Sequence, residues 1–335
     1  MTRTSASPIH VLVTGVGAII GQGIVRSLRA SSHSVKIIGL DRSARPPGPE
    51  WCDVFIQKPT CDERSDEYLD FWQNLIRKEN IDLVLPGLEV DMLFLDEQRA
   101  VFEKEHDACV LALNHSALIA LTGDKWLMHL FLVDHGISAI PTVIDAGWDG
   151  ALATLGAAPI LLKPRQGNGS RGIVRLHDRE DFVYWSRKTE DPWMLQRIVG
   201  SEAEEYTVGS FGLGDGRAVA PIIMRRRLSG AGNTQQAEVV DHPLLQERVT
   251  AFNTLLKPIG PTNYQFRVQD DEAYLLEVNP RFSSSNSLRT GFGYNEAQMA
   301  VEYFVLNRLP QEPDVRPGVG WRYSEDYIVY DRDPV

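Results

Sequence analysis

The sequence predicts an α/β fold in two parts: a Rossmann-like N-terminal domain, then two α+β subdomains. Three observations carry this. Short apolar strands alternate with amphipathic helices from Ile9 to Leu113, the pattern of a parallel sheet covered on both faces. That pattern changes at Asn114. Further on, Asn263–Val268 and Tyr274–Arg281 each alternate apolar and polar residues with period two, and so read as a hairpin.

Composition sets the bounds. At 335 residues and 37.5 kDa the chain can form two or three modules with separate cores. A net charge of −11 implies no broad basic surface for nucleic acid. Apolar content of 43% and charged content of 24% are those of a soluble globular protein. No apolar run approaches a membrane span, and Met1–His10 carries no signal-peptide pattern. A cytoplasmic protein without membrane or nucleic-acid partners is therefore expected. Cys52, Cys61 and Cys109 lack CxxC spacing, which fits free thiols in a reducing compartment and not a zinc site.

Ile9–Thr14 reads as a buried strand, Gly15–Gly23 as a glycine-rich turn opening a helix to about Ala30, and Val35–Leu40 as a strand ending at Asp41. This β-α-β start admits an NAD(P)-dependent oxidoreductase that uses Gly15–Gly23 and Asp41. The glycines run G-x-G-x-x-x-G-x-G, however, one residue longer than the usual fingerprint. Their other use is close packing. Strands follow at Val54–Gln57, Leu83–Pro86 and Ala108–Leu113, with helices at Asp66–Lys78 and Val90–Lys104. The first helix turns Leu69, Trp72, Leu75 and Ile76 inward. A ligand belongs at the C-terminal strand ends, beside Pro86–Glu89. Glu89 is either a substrate contact or a helix-start carboxylate favoured by the dipole. This first domain spans residues 1–113.

Residues 114–192 form a smaller subdomain. Asp124 reads as an N-cap, and Lys125 stands in the first helical turn, where the dipole disfavours a cation; a phosphate nearby would explain it. Ile160–Leu176 is two strands around a loop with Gly167, Gly169, Ser170 and Gly172, and Lys163 ends the first strand. Such a loop can wrap backbone N–H groups around phosphates while the lysine supplies a point charge. It is not a Walker A loop, because no GK[ST] follows. Asp178–Lys188 is a helix.

Residues 193–310 form the larger subdomain. Trp193–Gly200 and Glu202–Phe211 read as strand, hinge and strand, so that Gln196, Arg197, Ile198 and Val199 offer backbone edges to an adenine, with Glu205 or a neighbouring acid near the ribose. Arg217–Met224 is a strand leading into Arg225–Arg227 and a Gly/Ser/Asn loop to Gln236, either an anion site or a basic corner. His242–Leu256 and Tyr294–Leu309 are helices. Residues 311–335 are a tail with one strand at Tyr327–Tyr330.

In the hairpin, Tyr264, Phe266 and Val268, and Tyr274, Leu276 and Val278, form the apolar face. The other face carries Asn263, Gln265 and Arg267, then Glu277, Asn279 and Arg281. With Gln269–Ala273 as the loop, Gln265 opposes Glu277 and Asn263 opposes Asn279. Mg²⁺ prefers oxygen ligands and takes one or two carboxylates, leaving other positions to phosphate and water. The face suits such an ion; alone, it also fits a solvated edge.

In this order the features resemble the ATP-grasp superfamily, and within it the carbamoyl-phosphate-synthase-like carboxylate–amine ligases. The resemblance runs to about Leu309 and implies a pre-ATP-grasp domain followed by an ATP-grasp fold. Asn263-Tyr-Gln-Phe266 and Leu276-Glu-Val-Asn-Pro-Arg281 are similar to the family's metal motif. By that matching Glu277 and Asn279 are metal ligands, with Gln265 on the facing strand, and Arg281 meets the phosphate or acyl phosphate. Gln265 stands where many relatives have an acid, which weakens a second metal site. Lys125 and Lys163 match the nucleotide lysines, Gly167–Gly172 the lid, Gln196–Val199 the adenine hinge, and Glu205 the ribose-side acid, with Glu202 and Glu204 as alternatives.

The implied chemistry uses ATP with Mg²⁺ or Mn²⁺. A carboxylate attacks the γ-phosphorus, and an amine or ammonia displaces phosphate from the acyl phosphate. Arg281, Lys163 and Arg225 carry the reaction by charge neutralisation, and Ser283–Asn286 lies near the substrates. The partners are small-molecule carboxylates and amines, and a homodimer is expected because relatives are often dimeric. The remaining alternative is a non-catalytic ATP-binding protein. The eight histidines show no HxH or HExxH spacing.

Overall fold

A computed structural model describes residues 7–330 except 46, 107, 168–171, 231 and 329. The first sheet takes in β1 Ile9–Thr14, β2 Val35–Asp41, β3 Val54–Gln57, β4 Leu83–Leu85 and β5 Val110–Leu111. It is joined by α1 Ile19–Arg29, α2 Asp66–Glu79, α3 Glu89–Glu97 and α4 Arg99–Glu105. All pairs are parallel, in the order β3-β2-β1-β4-β5. Successive residues of β1 serve two cores, Val11 and Val13 on one face and Leu12 on the other. Hence the strand reads as a continuous apolar run. The helix expected over Val90–Lys104 is broken at Gln98 into α3 and α4.

The glycine-rich turn is spent on packing. A Cβ on Gly21 would lie 2.2 Å from the Gly15 carbonyl oxygen, and one on Gly87 would lie 2.2 Å from that of Thr14. Asp41 closes its own turn, accepting from the Gly17 amide at 2.9 Å and the Ser43 amide at 3.0 Å. The acid available to a dinucleotide ribose is thus already bound to backbone.

Next come α5 Ser116–Gly123 and α6 Lys125–Asp134, then β6 Thr142–Val143, α7 Trp148–Leu155, β7 Ile160–Pro164, β8 Val174–Leu176, α8 Arg179–Lys188 and β9 Trp193–Arg197. The four strands order as β6-β9-β7-β8. Leu118 of α5 and Met128 and Leu132 of α6 pack into the core of the third unit, with Val208, Phe252 and Tyr264. The two helices thus share the core of the six-stranded sheet.

The third unit holds β10 Glu205–Leu213, β11 Ile222–Leu228, β12 Thr234–Val239, α9 Pro243–Leu256, β13 Ile259–Gln269, β14 Glu272–Asn279, α10 Asn286–Gly291, α11 Glu296–Ala300 and β15 Val319–Trp321. Their order is β14-β13-β10-β11-β12-β15, antiparallel throughout. β11 begins at Ile222 and not at Arg217, just after Pro221, which has no N–H for the ladder. It also runs on through the three arginines. α11 passes into a π turn over Val301–Val305, so the expected helix to Leu309 stops early. The tail's strand is β15, which pairs with β12; of the strand expected at Tyr327–Tyr330, the described residues Tyr327, Ile328 and Tyr330 lie outside any strand and are exposed. Among the described residues no single helix is long and apolar enough to cross a membrane.

The β13–β14 hairpin pairs Gln265 with Glu277 and Asn263 with Asn279, then slips. The turn is only Asp270-Asp271, both left-handed at φ 51° and 59°, between the paired Gln269 and Glu272. One extra residue, Leu276, bulges out beyond Leu275. As a result Ala273, Leu275 and Val278 enter the core, where Tyr274, Leu276 and Val278 were expected. The bulge turns Leu276 to the polar side, beside Glu277.

Candidate active site

Between the four-stranded and six-stranded sheets lies a cleft of about 350 Å³. From the four-stranded side come Lys163, Gln196, Arg197, Ile198 and Val199; from the other, Glu205, Arg226, Gln265, Arg267 and Glu277.

Lys163, near the end of β7, is 6% exposed. Its Nζ donates to Gln196 Oε1 at 2.7 Å, and Gln196 Nε2 donates to Thr142 Oγ1 at 3.0 Å. Burial, with nearby Lys125 acting the same way, lowers the ammonium pKa to about 8, against the opposing pull of Glu277. Lys125 opens α6 directly after its N-cap, Asp124, which accepts from the Trp126 amide at 2.8 Å. Asp124 also takes Arg165 Nε at 3.1 Å, and the Lys125 amide donates to the Arg165 carbonyl at 2.9 Å. This ties the root of the glycine-rich loop to α6. Lys125 Nζ reaches over the loop to the Gly167 carbonyl at 2.5 Å. Gly167 and Gly172 both have positive φ, 90° and 71°, as such a loop requires. Gly169 and Ser170 lie outside the described residues.

The hinge follows β9. Arg197 Nε is drawn to the Leu155 carbonyl at 2.6 Å. Gly200, at φ 58°, turns the chain, and its amide donates to Gln269 Oε1 at 2.7 Å. Glu205, buried at the start of β10, accepts from Arg226 Nη2 at 3.0 Å on one oxygen and Arg267 Nε at 2.9 Å on the other. Of its neighbours, Glu204 accepts from the Tyr206 hydroxyl at 2.5 Å, and neither it nor Glu202 lines the cleft.

Arg225 was expected in the site, but β11 alternates. Arg225 points outward to Glu238, its partner on β12, at 2.6 Å. Arg226 turns into the cleft, 6% exposed. The sequence signal was present: once the strand runs through the arginines, only the middle one shares a face with Met224. Arg267 and Arg175 also line the cleft and had been given no role.

Farther along β14, Asn279 is buried, and Arg281 beyond it meets the first domain, donating to Glu89 Oε2 at 2.9 Å. Ser283, Ser285 and Asn286 are buried; Ser285 Oγ donates to Thr234 Oγ1 at 2.9 Å and Asn286 Nδ2 to the Ile20 carbonyl at 3.1 Å. As for a divalent ion, Glu277 and Asn279 fit it, one carboxylate and one amide oxygen on alternate residues of a strand. Gln265 does not: its Oε1 accepts from Arg226 Nη2 at 2.7 Å, so a guanidinium stands at that ligand atom.

Residues 11–110 match the family described as "PylC-like, N-terminal domain". Residues 189–326 match "ATP-grasp in the biosynthetic pathway with Ter operon". The carbamoyl phosphate synthase large chain of Pseudothermotoga lettingae is 25% identical over 218 residues, 60% of this chain and 20% of that one. The Halobacterium salinarum protein of the same name is 26% identical over 192 residues, 52% of this chain and 18% of that one. This chain thus spans about a fifth of the length of those curated relatives. Among solved structures, N5-carboxyaminoimidazole synthetase from Staphylococcus aureus, complexed with ADP, superposes with a TM-score of 0.72 at 14% identity, over 95% of this chain and 84% of that one. The L-amino acid ligase from Bacillus licheniformis gives 0.66 at 16% identity, over 94% and 78%. Both superpositions extend over the parallel-sheet domain and the units that follow it. The chain thus carries a PylC-like N-terminal domain over residues 11–110 and an ATP-grasp domain over residues 189–326.

Proposed function

We propose that the protein is an ATP- and Mg²⁺-dependent ligase that activates a carboxylate as an acyl phosphate and joins it to an amine or ammonia, releasing ADP and phosphate. One observation carries the reading: the buried Lys163 ammonium shares a cleft with Glu277, next to the hinge Ile198–Val199 and below the Lys125–Gly167 contact. Cations for phosphates, a carboxylate for a metal and backbone edges for a base stand in one place. The names of the similar proteins, carbamoyl phosphate synthase and L-amino acid ligase among them, agree with this class.

The roles follow from charge and position. Lys163 and Lys125 neutralise phosphate oxygens, and the loop at Gly167 and Gly172 covers them. Ile198 and Val199 present backbone groups to the base. Glu277 and Asn279 would hold Mg²⁺, which when bound neutralises phosphate charge and orients its oxygens. Arg281 steadies the phosphoryl group in transfer, where negative charge is spread over three oxygens. Its partner Glu89 stands at the C-terminal end of β4, the ligand side of a parallel sheet, and the carboxylate substrate is assigned to that junction.

Incubation with ATP, Mg²⁺ and a panel of carboxylic acids plus hydroxylamine should give hydroxamate and ADP in equal amounts. AMP as the nucleotide product, or no turnover with any acid, would overturn the proposal.

A further inference from the structure

Among the described residues, six cationic side chains line the cleft, Lys125, Lys163, Arg175, Arg197, Arg226 and Arg267, against two carboxylates, Glu205 and Glu277. The carboxylates are not equivalent. Glu205 is 4% exposed and lies between two guanidinium groups, at 3.0 Å from Arg226 and 2.8 Å from Arg267. Its charge is more than matched by protein, and it has none to offer a divalent ion. Glu277 is therefore the carboxylate left for metal.

The residue opposite Glu277 in the ladder is Gln265, which is neutral. A pair of ions set about 3.5–4 Å apart needs bridging anionic ligands; here one strand supplies a carboxylate and the other an amide. That amide oxygen already accepts from Arg226 at 2.7 Å. Arg226 spends Nε and Nη2 on Glu205 and Gln265, and among the described residues its Nη1 donates to no side chain or backbone group, which leaves that edge for a phosphate oxygen. A guanidinium fixed by two partners is a permanent, pre-oriented cation. It also repels a second divalent ion from the same spot.

Resting on the ATP-dependent reading above, we infer that the protein binds its nucleotide with a single divalent ion, on Glu277 and Asn279, and that Arg226 supplies the second fixed cation on the phosphates.

The test counts ions. The whole protein is dialysed to equilibrium against Mn²⁺ and the β,γ-imido analogue of ATP, and bound Mn²⁺ is read by electron paramagnetic resonance. One Mn²⁺ per bound nucleotide is expected for the native chain, and two would overturn the inference while leaving the ligase reading standing. The double variant Gln265→Glu, Arg226→Gln should take up a second Mn²⁺. If it stays at one, Arg226 is not what excludes the second ion, and that half of the inference fails. Arg226→Gln alone should weaken analogue binding at least tenfold with the count unchanged; unaltered affinity counts against its phosphate contact. Absence of analogue binding by the native chain, with or without Mn²⁺, overturns the nucleotide reading itself and this inference with it.

Discussion

Arg281 and Glu89 lie 192 residues apart in sequence and meet at 2.9 Å, Nη2 to Oε2. The pair joins the end of the strand that carries Glu277 and Asn279 to the first turn of α3 in the parallel-sheet domain. Arg281's side chain is only 11% exposed and Glu89's 34%, so the contact is shielded more than an ordinary surface pair. Glu89 also lies in the first turn of its helix, where the dipole favours its charge. It therefore acts as a fixed anchor for the guanidinium.

If that anchor positions Arg281 for phosphoryl transfer, Glu89→Gln should slow ADP release and spare nucleotide binding. Loss of a hydrogen bond between charged groups costs about 1.5–3 kcal/mol, which predicts a fall in kcat of roughly 10- to 160-fold. Steady-state ADP release gives the rate and nucleotide titration the affinity. A loss that appears wholly in nucleotide affinity would mean that Arg281 serves ground-state binding instead.

Lys163 gives the site a pH dependence whose sign can be worked out. Its pKa is lowered to about 8, chiefly by burial. Phosphate binds the charged form, so the pKa rises again when nucleotide is bound. Affinity is then full below pH 8 and falls as pH rises through it. Titrations between pH 7 and 10 should show the decline, and Lys163→Met should abolish it while weakening binding by roughly 1.5–3 kcal/mol. A variant that keeps the same pH profile would rule out Lys163 as its source.

How much of this was legible in the sequence depends on whether local rules or long-range choices decided it. The register of Gln265 with Glu277 was legible because period-two alternation leaves few pairings. The bulge at Leu276 was not. The turn proved to be Asp270-Asp271, both with positive φ, and Asp-Asp is a weaker signal for it than Asn-Gly or Asp-Gly. Arg226 was hidden for a related reason: placing it required knowing that β11 continues past Met224, and pairing with β12 decides that. Glu89 as the partner of Arg281, and Arg165 as that of Asp124, are set by packing between distant segments, on which local patterns are silent. The parallel-sheet domain was easiest, since each strand and helix announces itself by its own periodicity.

Glu277→Gln tests the metal assignment directly. The change keeps shape and removes the one carboxylate among the cleft's described residues that is not clamped by guanidinium groups. The variant should fold like the native chain, since half-buried Glu277 serves no hydrophobic core, and unfolding midpoints in urea should differ by less than the effect of a core substitution. Mg²⁺-dependent turnover should disappear, and bound Mn²⁺ should drop below detection at concentrations that fill the native site. Retained Mn²⁺ would move the metal to other ligands.

Lys58 and Asp91 form a contact of a different kind, with side chains 1% and 0% exposed. Lys58 follows β3, and Asp91 lies two residues after Glu89 on α3, so the pair fixes the helix whose first residue holds Arg281. Among the described residues Asp91 Oδ2 has no hydrogen-bond partner, so the pair is imperfectly satisfied. Breaking a buried pair leaves an uncompensated charge, at a cost of about 3–5 kcal/mol, whereas replacing both members by apolar residues is often neutral or stabilising. Asp91→Ala should thus lower the urea midpoint strongly, and Lys58→Met combined with Asp91→Leu should restore most of the loss. Recovery of stability without recovery of ADP release would show that the ion pair orients Glu89 and Arg281 in addition to holding the fold. Recovery of both would reduce it to a packing element. A double variant as unstable as the single one would mean that the site tolerates no apolar filling, and that its polar neighbour Tyr68 depends on the charges.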